Sequence, residues 1–266
     1  MLLLVASWGS LLGSLAVVEQ YKEIAATPAQ VAAAFESKER LPTSLVSPSP
    51  SPLPLFYPFV AKWRGLHGHA VGLCTAELVA PLWVITAGHC AARVLHNETV
   101  KVHVELLNAT TPTLRRDVEA HSCVHAPGKI DVALCRLTEQ VGVEEAHPVK
   151  LNLALYKPGG ALPPSEGAMC VGTSHGLHAI GPKTLLTQSG GAHLFVDNTN
   201  GSGMHAGDSG GAWLVRSKVG REWVLTGVIH GGEKRGGQKH GVASQLSYIG
   251  EWINATTGGA VQWTVV

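Results

Sequence analysis

The sequence predicts an all-β, antiparallel fold, a sandwich or a barrel, on three observations. Apolar runs of strand length recur from Phe56 onward, Gly, Pro and Asn separate them, and only residues 247–255 near the end read as helical. The candidate strands are 69–79, 82–86, 101–107, 132–137, 168–172, 212–215, 223–230 and 241–246. A parallel βαβ array would need helical segments between such runs, and the sequence does not supply them. No repeat at a solenoid or propeller period interrupts this pattern.

Composition sets the outer limits. The chain has 266 residues, room for one large or two small domains. Hydrophobic residues make up 45% and charged residues 15%, so a sizeable core is easily buried. A net charge of +1 without a long basic run excludes binding of a nucleic-acid backbone by counterion release. The 14 histidines are scattered. Five cysteines without a Cys-x-x-Cys pair point to disulfides rather than a zinc site, and the odd count leaves one thiol over.

The first part of the chain reads as a leader. Residues 2–18 are uncharged and rich in Leu, Val and Ala, with small residues at Ser14 and Ala16 that suit signal-peptidase cleavage after Ala16. A basic start is missing, and the stretch is short for the about 20 apolar residues of a membrane span. Residues 1–16 are therefore expected to be a signal peptide, with a signal-anchor and an incomplete gene start as the other readings. Asn-x-Ser/Thr sequons at Asn97, Asn108, Asn200 and Asn254 agree with a secreted glycoprotein. Thr27, Pro28 and Gln30 then mark a helix start, Pro42 ends it, and SLVSPSPSPLPL at 44–55 is an extended Pro/Ser tract. Residues 17–54 are expected to form a pro-segment or linker, the plainer reading being a leader without a role.

Three motifs carry chemistry. In Gly207-Asp208-Ser209-Gly210-Gly211, glycines let the backbone turn around a serine, so the amides of Gly207 and Ser209 converge on one oxygen. In Val84-Ile85-Thr86-Ala87-Gly88-His89-Cys90, an apolar strand delivers a histidine beside a cysteine, and Cys74, sixteen positions earlier, is a plausible partner for Cys90. In Asp131-Val132-Ala133-Leu134-Cys135, an acid opens an apolar strand, where burial obliges it to find a hydrogen-bond partner. His89 is that partner, an arrangement that fixes the imidazole tautomer and stabilises the imidazolium. Each motif alone has a bland reading: a loop, a polar loop residue, a turn-capping acid.

Together, in the order His, Asp, Ser, they resemble the chymotrypsin/trypsin family of serine peptidases. TAGHC stands where that family has TAAHC, DVALCRL matches its aspartate strand and GDSGGAWL its nucleophile loop, over about residues 56–256. The resemblance implies two antiparallel six-stranded β-barrels with a short C-terminal helix: a peptidase domain at 55–256, its barrels at about 55–150 and 151–256, and a tail at 257–266. It implies a secreted serine endopeptidase working through an acyl-enzyme, with His89, Asp131 and Ser209 catalytic and Gly207 and Ser209 forming the oxyanion hole. No metal or organic cofactor is needed. The partners implied are protein or peptide substrates and protein inhibitors, without nucleic acid and without stable membrane insertion once the signal is removed.

The departures matter as much. Relatives activated by cleavage expose an Ile-Val-Gly-Gly-like N-terminus whose ammonium pairs with the acid before the serine; that motif is missing here, so Asp208 needs another partner or an unusual processed start. The cysteine framework is reduced: Cys123 and Cys135 are expected to pair across adjacent strands, leaving Cys170. Alignment on the serine motif places Gly203 and Met204 at the base of the primary pocket, His230, Gly231 and Gly232 along its wall and Gly241 behind it. No carboxylate stands there to bind Arg or Lys, so an uncharged, apolar residue before the scissile bond is expected. Acid preference, with charge from His230, Lys234, Arg235, Lys239 or His240, is the competing idea. His230 also replaces the serine that contacts the aspartate, a bulkier donor that points to weakened activity.

Two other functions compete. One is a silent homologue acting as a binding protein, disfavoured because all three catalytic types and the oxyanion glycines are retained. The other is metal binding through His67 and His69, with His103 or another histidine, since His-x-His on a strand shares a face. An α/β-hydrolase is excluded by its opposite order, Ser, acid, His.

Overall fold

A computed structural model of the chain describes residues 57, 59–65, 74–96, 102–106, 114–119, 121–156, 169–174, 177–180, 185–189, 192–196, 204–217, 222–235 and 238–266. The expected signal peptide and linker at 1–54 lie outside these residues, as do Gly203, His67, His69, Asn97, Asn108 and Asn200. All the elements below belong to one unit, Leu45–Ala126 with Ile130–Val266.

The fold is all-β, built on two antiparallel sheets. The first contains β1 (Val60–Gly65), β2 (Cys74–Ala80), β3 (Trp83–Thr86), β4 (Val102–Leu106), β5 (Leu114–Asp117), β6 (Val124–His125) and β7 (Ala133–Arg136), in the order β5-β4-β1-β2-β3-β7-β6. The second follows the order β10-β9-β13-β14-β15-β12-β11. Its strands are β9 (Met169–Gly172), β10 (His178–Ile180), β11 (Leu185–Ser189), β12 (His193–Val196), β13 (Ala212–Arg216), β14 (Trp223–Arg235) and β15 (Gln238–Gln245).

Two short strands add to the second sheet in parallel fashion: β8 (Lys150–Asn152) along β14, and β16 (Trp263–Thr264) along β8. Among the described residues the sheets thus comprise seven and nine strands, consistent with the expected all-β fold of two antiparallel barrels. The short additions are runs of three and two residues, too brief to read from periodicity. The last ten residues, expected as a tail, contribute β16 and bury Val261.

Two helices complete the described elements. α1 (Gly88–His96) follows β3 directly, and α2 (Gly250–Thr257) follows a 3₁₀ turn at Leu246–Ile249. α2 ends as sequence rules prescribe: Gly258 takes the left-handed conformation at φ 64° and its N–H returns to the carbonyl of Asn254. One continuous apolar core draws on both sheets, from Trp63, Leu78, Ile85 and Leu134 to Val171, Leu214, Leu225 and Val228. A smaller cluster of Tyr156, Cys170, Trp213, Val215, Val224, Ile229 and Ala243 backs the second sheet.

Candidate active site

His89 is the second residue of α1, placed there because β3 ends at Thr86 and the chain turns straight into the helix. Asp131 sits just before β7, which pairs with β3 through Thr86 and Ala133. That register brings the two residues together. Asp131 grips His89 twice: Oδ1 accepts the backbone N–H of His89 at 2.7 Å and Oδ2 pairs with ring Nδ1 at 2.7 Å. The carboxylate thereby caps the first turn of α1, where the helix dipole favours negative charge. Burial pushes the pKa of Asp131 up, but the hydrogen bond and charge of His89, the charge of His230 and the His89 amide together hold it below the ordinary value.

Gly88 explains one departure from the family pattern. A Cβ at this position would lie 2.9 Å from Asp131 Oδ1 and 2.9 Å from His125 Nδ1. Glycine makes room for both groups, which accounts for TAGHC in place of TAAHC.

The loop carrying Ser209 is fastened from both sheets. The N–H of Thr75 on β2 donates to the carbonyl of Ser209 at 2.8 Å. The hydroxyl of Thr75 donates to the carbonyl of Gly207 at 3.1 Å, accepts the N–H of Thr173 at 3.1 Å and lies 2.9 Å from the Thr173 hydroxyl. The amide of Gly210 bonds the carbonyl of Ile229 on β14 at 2.6 Å. Gly210 itself has φ +86°, and a Cβ there would collide with the Thr75 carbonyl and the Thr86 hydroxyl. The loop carrying Ser209 thus runs against β2 on one side and β14 on the other.

Asp208 is buried at 1% exposure, and its oxygens find backbone donors within the chain. Oδ2 accepts the N–H of His205 at 2.8 Å, and Oδ1 that of Ser174 at 3.1 Å. These two amides supply hydrogen bonds of the kind the sequence left unassigned for this acid.

Disulfides join Cys74 to Cys90 and Cys123 to Cys135, while Cys170 is buried outside both. The first ties β2 to α1 beside His89, and the Cys90 sulfur lies 3.7 Å from the Ser209 carbonyl oxygen. Cys74, His89 and Cys90 have donor atoms within 4.8 Å of one another, but the disulfide removes the thiolates a metal would require.

His230 Nδ1 is 3.8 Å from Asp131 Oδ2, beyond hydrogen-bond range, and its charge favours the ionised aspartate. Its other nitrogen faces His193 on β12, a residue that the sequence reading missed. Only the strand order β14-β15-β12 brings together two histidines 37 positions apart.

Of the expected pocket residues, Met204 is half-buried against the smaller apolar cluster. Gly231 and Gly232 lie on β14 opposite Val242 and Gly241 of β15. His103 is buried, with its ring nitrogens bonded to Arg115 at 3.0 Å and Glu105 at 3.3 Å, so it offers no ligand position for the metal reading.

Two antiparallel sheets sharing a main core, a histidine–aspartate pair at the ends of β3 and β7 and a glycine-rich serine loop between β2 and β14 define a serine-hydrolase class of protein. The chain belongs to the trypsin family, whose model, described as Trypsin, matches residues 56–253. Transmembrane protease serine 11C of Mus musculus is 25% identical over 224 residues, covering 74% of this chain and 51% of that protein. Ovochymase of Halocynthia roretzi is 23% identical over 221 residues, covering 73% of this chain and 14% of that protein. The chain therefore spans about half the length of the first relative and far less of the second. Among the described residues no helix is long and apolar enough to cross a membrane.

Proposed function

We propose that this chain is a secreted serine endopeptidase that cleaves polypeptides through an acyl-enzyme intermediate. The observation that carries the reading is the double grip of Asp131 on His89, which gives ring Nδ1 to the acid; in the proposal the opposite ring nitrogen acts on Ser209. Ser209 attacks the peptide carbonyl as His89 takes its proton, and the amides of Gly207 and Ser209 receive the oxyanion. His89 then returns the proton to the leaving amine, and water repeats the sequence to release the acid product. Asp131 stays ionised throughout, in keeping with its lowered pKa.

The pocket reading favours an uncharged, apolar residue before the scissile bond. Met204 provides soft apolar surface backed by buried Trp213, Val215 and Ile229, and glycines line the facing strands. Secretion is supported by the two disulfides, which persist in oxidising compartments, and by the exposed sequon at Asn254.

A fluorophosphonate probe on the purified chain tests the proposal. Ser209 should be labelled, Ser209→Ala should abolish labelling, and a peptide-library profile should show apolar residues before the cut. A folded chain that takes up no label would sink the peptidase reading, and a profile dominated by Arg or Lys would sink the specificity.

A further inference from the structure

His193 and His230 form a pair that the proposed reaction does not use. His193 is on β12 and His230 on β14, with β15 between them. Ser244 of β15 is opposite His193 on one side and opposite Val228, two residues before His230, on the other. A register irregularity between Ile229 and Gly231 falls at His230. The rings meet edge to face, with centroids 5.3 Å apart and planes at 60°.

The facing nitrogens, His230 Nε2 and His193 Nδ1, are 3.4 Å apart. That exceeds the roughly 2.7–3.2 Å of a good N–H donor bond. It matches the edge of a zinc tetrahedron, since two nitrogens at about 2.0–2.1 Å from the ion stand about 3.4 Å apart. On its far side His230 turns Nδ1 toward Asp131 Oδ2 at 3.8 Å. A carboxylate behind the distal nitrogen of a ligating histidine is the usual outer partner that fixes the tautomer and raises ligand basicity.

We propose that His193 and His230 form a bidentate site for Zn²⁺, completed by water, through which the ion inhibits the enzyme. Inhibition rests on the peptidase reading; binding of the ion does not. The route is short. Metal on Nε2 fixes the proton of His230 on Nδ1 and makes that N–H more acidic, a donor that draws Asp131 Oδ2 away from the His89 ring. Asp131 Oδ2 holds the His89 ring at 2.7 Å and lies 3.8 Å from His230 Nδ1, so closure of the second gap weakens the first bond. This ion is a regulator, distinct from the resident cofactor that the reaction does without.

Zinc titrated calorimetrically into the Ser209→Ala protein reads binding apart from activity. About one ion per chain is expected, with affinity falling at least about tenfold in the His193→Gln, Ser209→Ala double variant. In the chain with Ser209 intact, saturating Zn²⁺ should slow fluorophosphonate labelling at least about tenfold. His193→Gln should resist this slowing while labelling normally without metal, and its melting temperature should match the parent's. Failure of the Ser209→Ala protein to bind zinc, or equal binding by the double variant, would overturn the site. Zinc that binds through His193 without slowing the label would overturn the inhibition.

Discussion

The interior of the first sheet and the loop that carries Ser209 each bury a carboxyl group, and they treat it in opposite ways. Glu77 lies in the middle of β2, fully buried, and neither oxygen has a hydrogen-bond partner among the described residues. Burial alone raises its pKa well above the ordinary value of 4.5. Asp208 is as deeply buried, yet both its oxygens accept backbone N–H groups. Depth in the protein does not decide what a buried acid does. The donors fixed around it do: without them the proton is kept, and with them the carboxylate becomes a fastening point for the chain.

Removing each fastening should break the comparison to a different degree. The largest effect is expected for Asp208→Ala, which takes the acceptor from the half-buried amides of Ser174 and His205. Stability should fall by about 2–5 kcal/mol in urea unfolding, with labelling of Ser209 lost even where the variant remains folded. Normal labelling of a folded Asp208→Ala protein would show that the loop does not depend on this acid.

Thr75→Val should have a smaller effect. It keeps the volume but deletes the donor to Gly207 and the acceptor for Thr173. A fall in kcat of about tenfold with KM held within about twofold is expected if Gly207 serves the proposed oxyanion hole, since the hydroxyl orients that residue. Thr75→Ser, which retains the hydroxyl, should recover most of the rate. Equal losses in both variants would reduce Thr75 to a packing role.

Glu77→Gln sharpens the other half of the comparison and has the smallest effect. Because the folded pKa of Glu77 is raised, its contribution is fully present below the unfolded carboxyl value and is lost as pH rises toward the folded value. The parent should therefore lose stability from about pH 4.3 upward, a slope that Glu77→Gln lacks. Near neutral pH the variant should be more stable by about 1 kcal/mol, while near pH 4 the two should melt together. Parallel melting curves across that range would show that Glu77 has found a partner after all.

Much of the scaffold was legible because strand length and turn composition are local properties. Residues 82–86, 132–137, 168–172 and 212–215 all fall on observed strands, give or take their ends. α1 was missed: the apolar run before His89 reads as a strand running into a loop, although Ala91, Ala92 and Leu95 are good helix formers. What starts the helix is Asp131, which caps it from 42 residues away. Glu77 was equally opaque. Its polar side chain suggests an outward face, but both faces of β2 are buried.

The same division runs through the candidate site. The sequence by itself determined the chemical types and their order, because GDSGG, the strand-end histidine and the strand-start aspartate are contiguous motifs whose chemistry depends on residue identity. Only the tertiary structure decided the partners of those residues: the Ser174 and His205 amides on Asp208, the Thr75 hydroxyl on Gly207, and His193 beside His230. These partners are backbone groups or residues on other strands. Their approach is set by sheet register, which depends on how the whole core packs and leaves no local trace in the chain.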